Sequence, residues 1–447
     1  MTKPALDHMP PEILAGICWH LCSHCTNDHL SHYPQPNSLA TPDPRKLWEK
    51  PSAEVTTSLV SLARTCRVLN RVAMPYIYHN IDARGWPEEK ITEFLRDRRQ
   101  LQKRSSIRRL TYQLDPFPLY TLLCRMPGLQ LLSLVDRLSF GQALASKTQK
   151  RLHDLRYLHL ESTSPTPTRD LSTLENLFEM APNIKTIAIK SGYIEWKGNP
   201  HDSPRVPLAN LTCLELFNVI VDPETLGKIL EKCRPLESFI YIGQHVGSVT
   251  PSSLELALNK SSSTLRHLEC CWHSLDEAPG MSLRLRSLKG FERLQTLILG
   301  GDALSIGTSC EDEATHILQR SNLDPTSLTE LLPTSIVEVR IDSKHLHKGM
   351  YQPMVALCQA KQAGSFPELR SFLQTNFDVS EVPYTFGDLS ELSERYGVSF
   401  KQEARSVFPP PVARPQVLFR RAVYSLRVDT LEMDETSESD EEFEDSL

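Results

Sequence analysis

The residues of this chain best suited to binding a metal lie in the stretch CWHLCSHCTNDHLSHY, residues 18–33. Cys22, Cys25, His29 and His32 are separated by two, three and two residues, and thiolates and imidazoles are ligands that Zn²⁺ prefers. Small zinc folds usually separate their ligand pairs by about twelve residues or more, which leaves room for a fold between them. Here there is no such room, so we expect a frayed helix end entering a polar loop, with no metal and no cofactor. A metal-dependent enzyme or sensor built on this stretch stays an alternative.

Catalytic motifs are absent from the rest of the sequence. There is no G-x-S-x-G, P-loop, G-x-G-x-x-G or H-E-x-x-H pattern, which removes the best-marked signs of nucleophilic, nucleotide or zinc-hydrolase chemistry. Cys270 and Cys271 lie inside an apolar pattern and indicate core or surface thiols rather than a nucleophile. The sequence therefore favours a non-catalytic binding protein.

The charge distribution indicates neither nucleic-acid nor membrane binding. Nine of the 55 acidic residues lie in positions 432–447, so the rest of the chain carries 49 basic against 46 acidic residues. That balance is no nucleic-acid footprint. No stretch approaches 18 apolar residues, and the start of the chain has no signal-like apolar run. Eleven scattered cysteines suit a reducing compartment, so we expect a cytoplasmic or nuclear protein, or one found in both.

Residues 5–81 predict a module of three short helices with a Pro-rich insertion at 22–54. Pro10 and Pro11 suit a helix start with Asp7 as its cap, and Pro75 is expected to end the third helix. Three short helices bury little apolar surface by themselves, so we expect one face to need a partner. Its residues are Met9, Pro10, Ile13, Leu14, Ile17, Leu62, Cys66 and Leu69.

This module resembles the F-box family, in particular the F-box proteins common in fungi. The likeness is carried by MPPEIL at 9–14, LARTCRVLN at 62–70 and AMPYIY at 73–78. The family's usual Leu before the first Pro is Met9 here, and the insertion is a larger departure. The resemblance implies docking on a Skp-type adaptor, and through it on a cullin, in a ubiquitin ligase. The alternative is a three-helix cap on the domain that follows.

After a linker helix at 82–105, an apolar-x-x-apolar-x-apolar template recurs through residues 106–400. Most intervals between starts are 22–29 residues, which is the period of leucine-rich repeats. The template fits residues 107/110/112, 129/132/134, 155/158/160, 184/187/189, 211/214/216, 236/239/241, 265/268/270, 294/297/299 and 336/339/341. Leu369 and Phe372 begin a tenth match that Gln374 breaks. The pattern resembles leucine-rich repeats in a degenerate form, because other residues stand where that family has Asn or Cys: Thr163, Gly192, Val219 and Asp302.

The predicted fold is therefore α/β: a three-helix F-box-like module followed by a leucine-rich-repeat-like solenoid, with a parallel sheet and outer helices. Residues between the template positions should line a concave face, while 401–447 form a linker and an acidic disordered tail. The substrate-binding candidates on that face are Tyr157, His159, Phe217, Ile240, Ile242 and His267. The other residues expected there are Glu161, Lys190, Glu215, Glu269, Glu338 and Arg340.

These patterns predict a substrate-recognition subunit of an SCF-type ubiquitin ligase that binds an unknown protein substrate and does no bond chemistry itself. The alternative is an F-box and repeat scaffold without substrate turnover.

Overall fold

The computed structural model describes residues 9–22, 25, 53–96, 101–113, 119–136, 151–162, 168–197, 208–243, 249–272, 285–300, 324–342, 351–375, 391 and 394–403. Most of the insertion and all of 404–447 lie outside this part, as do Asp7, His29 and His32. None of the helices in the described residues is long and apolar enough to cross a membrane.

The described part of the N-terminal module contains three helices: α1 (Pro11–Leu21), α2 (Ala53–Thr65) and α3 (Arg67–Ile77). Pro10 occupies the N-cap position of α1 and makes no side-chain cap. The amide of Leu69 donates to the Cys66 sulfur at 3.5 Å, so Cys66 caps α3. The side chain of Asn70 donates to the carbonyl of Ala63 at 3.1 Å and joins α3 to α2.

The prediction that Pro75 ends the third helix is wrong, because α3 continues to Ile77. A proline removes only one N–H donor from the helix. The next amides still pair, since the amide of Tyr78 donates to the carbonyl of Met74 at 3.3 Å. Pro75 lies two residues before the end of α3, so less than one helical turn follows it.

The module has a small apolar core of its own, separate from that of the repeats. Its buried members are Cys18, Cys22, Cys25, Leu59, Ala63 and Ala73, with Leu21, Leu62, Val72, Tyr76 and Ile77 packed against them. Leu14 and Leu69 are also buried, at 0% and 1% exposure. Side chains three or four residues apart on α1 share one face, so Cys18 and Leu21 lie on the side of the helix that packs into this core.

The predicted linker helix is two helices, α4 (Glu88–Arg96) and α5 (Leu101–Ser106). Beyond α5, short helices alternate with strands in the part of the chain that the structure describes. They are α6 (Leu119–Leu123), α7 (Glu175–Met180), α8 (Pro223–Lys232), α9 (Pro251–Leu258), α10 (Ser327–Leu331) and α11 (Tyr351–Gln362). Asp222 caps α8 by accepting from the amide of Thr225 at 2.8 Å, as the Asp-Pro-Glu start signal predicts.

The described strands form one parallel sheet in chain order, except that β5 pairs only with β6. They are β1 (Asn80–Asp82), β2 (Arg109–Gln113), β3 (Leu131–Asp136), β4 (Tyr157–Ser162), β5 (Thr168–Asp170), β6 (Thr186–Glu195), β7 (Cys213–Val221), β8 (Ser238–Gly243), β9 (His267–Trp272), β10 (Thr296–Gly300), β11 (Glu338–Asp342), β12 (Ser371–Thr375) and β13 (Ser399–Glu403).

The register of this sheet follows the sequence template. The middle apolar position of each repeat pairs with its counterpart in the next strand and is buried. This row runs Leu110, Leu132, Leu158, Ile187, Leu214, Phe239, Leu268, Leu297, Val339, Phe372. Each repeat thus closes the apolar side of its neighbour, as stacked repeats require. The prediction of a repeat solenoid with a parallel sheet is confirmed.

Both ends of the sheet extend beyond the predicted repeats. β1 lies within the segment assigned to the helical module, and β13 crosses position 400, where the sequence places the end of the array. Gln374 does not interrupt β12, whose backbone pairs with Ile341 there. Backbone pairing is available to any non-proline residue, so a polar side chain at one position does not stop a strand.

Asparagine side chains join turns of successive repeats. Asn183 donates to the carbonyl of His153, and Asn210 to that of Pro182, both at 2.8 Å. Each bond spans about one repeat of the chain, so it fastens a turn to the turn before it. The periodicity of the apolar residues carries no signal for these bonds.

Candidate functional site

The first candidate surface is the outer face of α1. Ile13 and Ile17 are 55% and 37% exposed, and their spacing of four residues places them side by side on this face. Pro10 is exposed and Met9 is half-buried. These four residues remain available from the predicted adaptor-binding set.

The other predicted docking residues require a correction. Leu14 and Leu69 are fully buried, and Leu62 and Cys66 are half-buried. One residue along a helix is a rotation of about 100°, so Leu14 points into the protein where Ile13 points toward solvent. The sequence marks both residues as apolar, and only the packing of α1 on its neighbours separates them.

Sequence reasoning missed two exposed apolar side chains in the same module, Trp19 at 44% and Val68 at 38%. Five large apolar side chains are markedly exposed in the described part of the chain, and four of them belong to α1 or α3. The sequence does carry a signal for a further apolar surface on α1, because this helix has apolar residues on more than one side. A helix of that kind is buried on more than one side.

The second candidate surface is the face of the sheet formed by residues between the template positions, called here the second face. Its predicted residues are less exposed than expected. Tyr157, Glu161, Phe217, His267, Glu338 and Arg340 are half-buried, and Lys190 is exposed. His159, Glu215, Ile240, Ile242 and Glu269 are buried.

Close strand spacing explains part of this difference. Residues at the same level of neighbouring strands are about 4.8 Å apart, so Ile240 is flanked by Glu215 and Glu269 in register. Ile240, Ile242 and Cys271 form a buried apolar cluster distinct from the main core, with Phe217 packed against it. We call these four residues the Phe217 cluster.

Charged and polar pairs surround the Phe217 cluster on the second face. Lys190 pairs with Glu161 at 2.8 Å, and Arg340 with Glu338 at 3.2 Å. Burial works to raise the pKa of Glu161, but the hydrogen bond and charge of Lys190 bring it below its ordinary value. The face therefore presents fixed charges of both signs around an apolar centre.

Two histidines of the second face lie in different surroundings. Nδ1 of His159 lies 2.9 Å from the hydroxyl of Ser133. Burial first, and the positive charge of Arg340 second, lower the pKa of His267 to about 4. His267 is therefore neutral at physiological pH.

The thiols of the strands are poor nucleophiles. Burial first, and the neighbouring Glu269 second, raise the pKa of Cys270 well above its ordinary value. The pKa of Cys213 is also raised well above its ordinary value, by burial first and by Glu215 second. Oε1 of Glu215 lies 3.5 Å from the Cys213 sulfur. Because the thiolate is the reactive form, these two cysteines have the chemistry of structural thiols.

A third group joins residues that the sequence keeps far apart. The sulfur of Cys25 lies 3.4 Å from Nδ1 of His79, and the sulfur of Cys22 lies 3.8 Å from the same atom. His79 comes 54 residues after Cys25. The sequence pattern pairs these cysteines with His29 and His32, which lie outside the described residues.

Comparisons with known proteins give little beyond this geometry. No protein-family model matches the chain, and no curated protein matches it. Among solved structures, the chain is similar to an internalin from Listeria monocytogenes, at 12% identity and a TM-score of 0.33, over 78% of this chain and 94% of that one. At that TM-score we draw nothing from the likeness, and the solenoid is established by the strand order and register described above.

Proposed function

We propose that this chain is the substrate-recognition subunit of an SCF-type ubiquitin ligase. In this proposal the helical module docks on a Skp-type adaptor and the repeat sheet binds a protein substrate. The contribution to the reaction is proximity, since a held substrate reacts as if at a much higher local concentration. The chain itself makes and breaks no bond, and a cytosolic or nuclear setting stays a prediction.

The observation that carries the proposal is the concentration of exposed apolar side chains on the segment that resembles an F-box. Ile13, Ile17, Trp19 and Val68 expose apolar surface on short helices with a core of their own. Exposed apolar residues that cluster in one region often mark a protein-binding surface. The repeat sheet supports the second half of the proposal, because the half-buried Phe217 lies on the second face in register with the exposed Lys190.

The docking half is tested by the double variant Ile13→Asp, Ile17→Asp. Full burial of an isoleucine contributes about 1.5–3 kcal/mol, so covering the exposed parts of both contributes about 1.4–2.8 kcal/mol. The variant should bind a purified Skp-type adaptor at least about 10–100-fold more weakly. Its folding should change little, since both side chains already face solvent.

The matched control is Leu256→Asp, which places the same charge on an apolar side chain that is 78% exposed on α9. This control should bind the adaptor like the wild type. Binding titrations and thermal unfolding of all three proteins complete the experiment. Equal adaptor affinity of the double variant and the wild type, or no adaptor binding by the wild type, would refute the docking surface.

A scaffold that docks the adaptor without substrate turnover is the second candidate. It is favoured by the low exposure of His159, Ile240 and Ile242, which leaves fewer side chains on the second face to hold a client. The half-lives of co-purifying proteins separate the two functions. Removal of this chain should lengthen those half-lives if it recruits substrates, and should leave them unchanged if it is a scaffold.

A further inference from the structure

We propose that Cys22, Cys25 and His79 bind a structural Zn²⁺ ion that joins the end of α1 to the junction of α3 and β1. The proposal does not depend on the ubiquitin-ligase function.

The three residues come from two ends of the module. Cys22 directly follows α1, and Cys25 comes three residues later. His79 lies between the end of α3 and the first residue of β1. The ligand atoms of all three lie within 4.8 Å of one another. Zinc folds need room in the chain between their ligand pairs. The stretch from Cys22 to His32 lacks that room, whereas two packed helices lie between Cys25 and His79.

The distances match those of a tetrahedral zinc site. Zn–S bonds of about 2.3 Å and Zn–N bonds of about 2.0–2.1 Å place sulfur and nitrogen about 3.5 Å apart around a tetrahedral ion. The two sulfur–nitrogen distances here are 3.4 and 3.8 Å, on either side of that value. Each of these two distances would have to change by at most about 0.3 Å to suit one tetrahedral ion.

The surroundings suit a structural site. Cys22 and Cys25 are 3% and 5% exposed, and His79 is half-buried. Structural zinc sites usually have four protein ligands, and soft thiolates with imidazole favour Zn²⁺ over hard cations. Cys18 is fully buried one helical turn before Cys22, but it does not belong to the group whose ligand atoms lie within 4.8 Å of one another. The described residues therefore supply three ligands for the ion.

The position of His79 gives the ion a mechanical role. Its carbonyl accepts from the amides of Arg108 and Arg109 at 2.9 and 2.7 Å, beside the start of β2. An ion held by the ring of the same residue would fix the end of α1 to the first strands of the sheet. Metal binding would thus set the orientation of α1 on the repeat array.

The experiment measures zinc in the full-length chain, purified under reducing conditions from zinc-supplemented cells and dialysed to remove loosely bound metal. The variants are Cys22→Ser, Cys25→Ser and His79→Gln. The control is Cys358→Ser, which removes an equally buried thiol from α11. Wild type and control should contain one zinc per chain. Each ligand variant should lose most of its zinc in the same dialysis, because loss of a direct ligand weakens binding by more than the roughly 10–100-fold that outer-shell changes cost.

Replacement of zinc by Co²⁺ in the intact wild type gives a reading that does not depend on the folding of a variant. Tetrahedral cobalt with thiolate ligands should produce visible d–d bands and a sulfur-to-metal charge-transfer band. Zinc well below one per chain in the wild type would overturn the proposal. So would full zinc content in the ligand variants, a cobalt spectrum without thiolate bands, or a Cys22–Cys25 disulfide in the reduced preparation.

Discussion

His267 should make the stability of the repeat sheet depend on pH. It lies on β9 in register with Ser238 on one side and Thr296 on the other. Among the described residues, no group forms a hydrogen bond with its buried Nδ1. Burial and, second, the charge of Arg340 lower its pKa to about 4. Protonation of this ring is therefore less favourable in the folded chain than in the unfolded chain.

The sign and size of this pH dependence follow from the difference in proton binding between the unfolded and folded chains. An unperturbed histidine has a pKa of about 6.5, so between that value and 4 the unfolded chain binds a proton that the folded chain does not. Stability therefore falls as pH decreases through this window. Between pH 7 and pH 5 the full shift corresponds to a loss of about 2 kcal/mol. His267 keeps some solvent contact, so we expect about 1–2 kcal/mol.

The assay is urea unfolding of the wild type and His267→Gln at pH 7 and pH 5. The variant should lose about 1–2 kcal/mol less stability than the wild type on acidification, because glutamine cannot take up the proton. His153→Gln, which changes an exposed histidine just before β4, should follow the wild type. If His267→Gln and the wild type lose the same stability between the two pH values, the account of His267 is refuted.

Two further predictions concern stability alone. Leu14→Ala should destabilise the helical module by about 2–5 kcal/mol, because it opens a cavity at a fully buried position. Ile13→Ala, on the exposed face, should cost less than about 1 kcal/mol. Equal melting temperatures for the two variants would contradict the assigned packing of α1. Ser261→Ala should lower the free energy of unfolding by about 1–3 kcal/mol in urea, since the buried Ser261 hydroxyl accepts from the amide of Leu236 at 2.9 Å. Ser252→Ala on α9 is the control. An equal loss of stability in both variants would contradict a special role for Ser261.

The sequence by itself determined the repeat architecture and its register. Positions such as Leu158, Leu214 and Leu297 recur at the template spacing, and each is buried opposite its counterpart. This succeeds because a parallel strand inside a stack buries the same positions in every repeat, so the requirement is written locally in each one. The helix start at Asp222 is local in the same sense, since its cap lies within four residues.

Only the tertiary structure decided which apolar residues face solvent. Ile13 and Leu14 are adjacent and equally apolar, yet one is 55% exposed and the other fully buried. Likewise Ile240 on the second face was expected to be exposed and is 1% exposed, enclosed by its neighbours in register. Burial depends on what packs against a side chain, and composition or spacing within one segment does not contain that information.

The tertiary structure also decided which groups meet across the chain. The sequence spacing pairs Cys22 and Cys25 with the nearby histidines of the same stretch. In the folded chain their neighbour is His79, which the packing of α1 on α3 brings to them. Arg340 acts on His267 from two strands away for the same reason. A periodic pattern determines a repeating fold because the constraint is local, whereas a site assembled from distant segments exists only once the chain has folded.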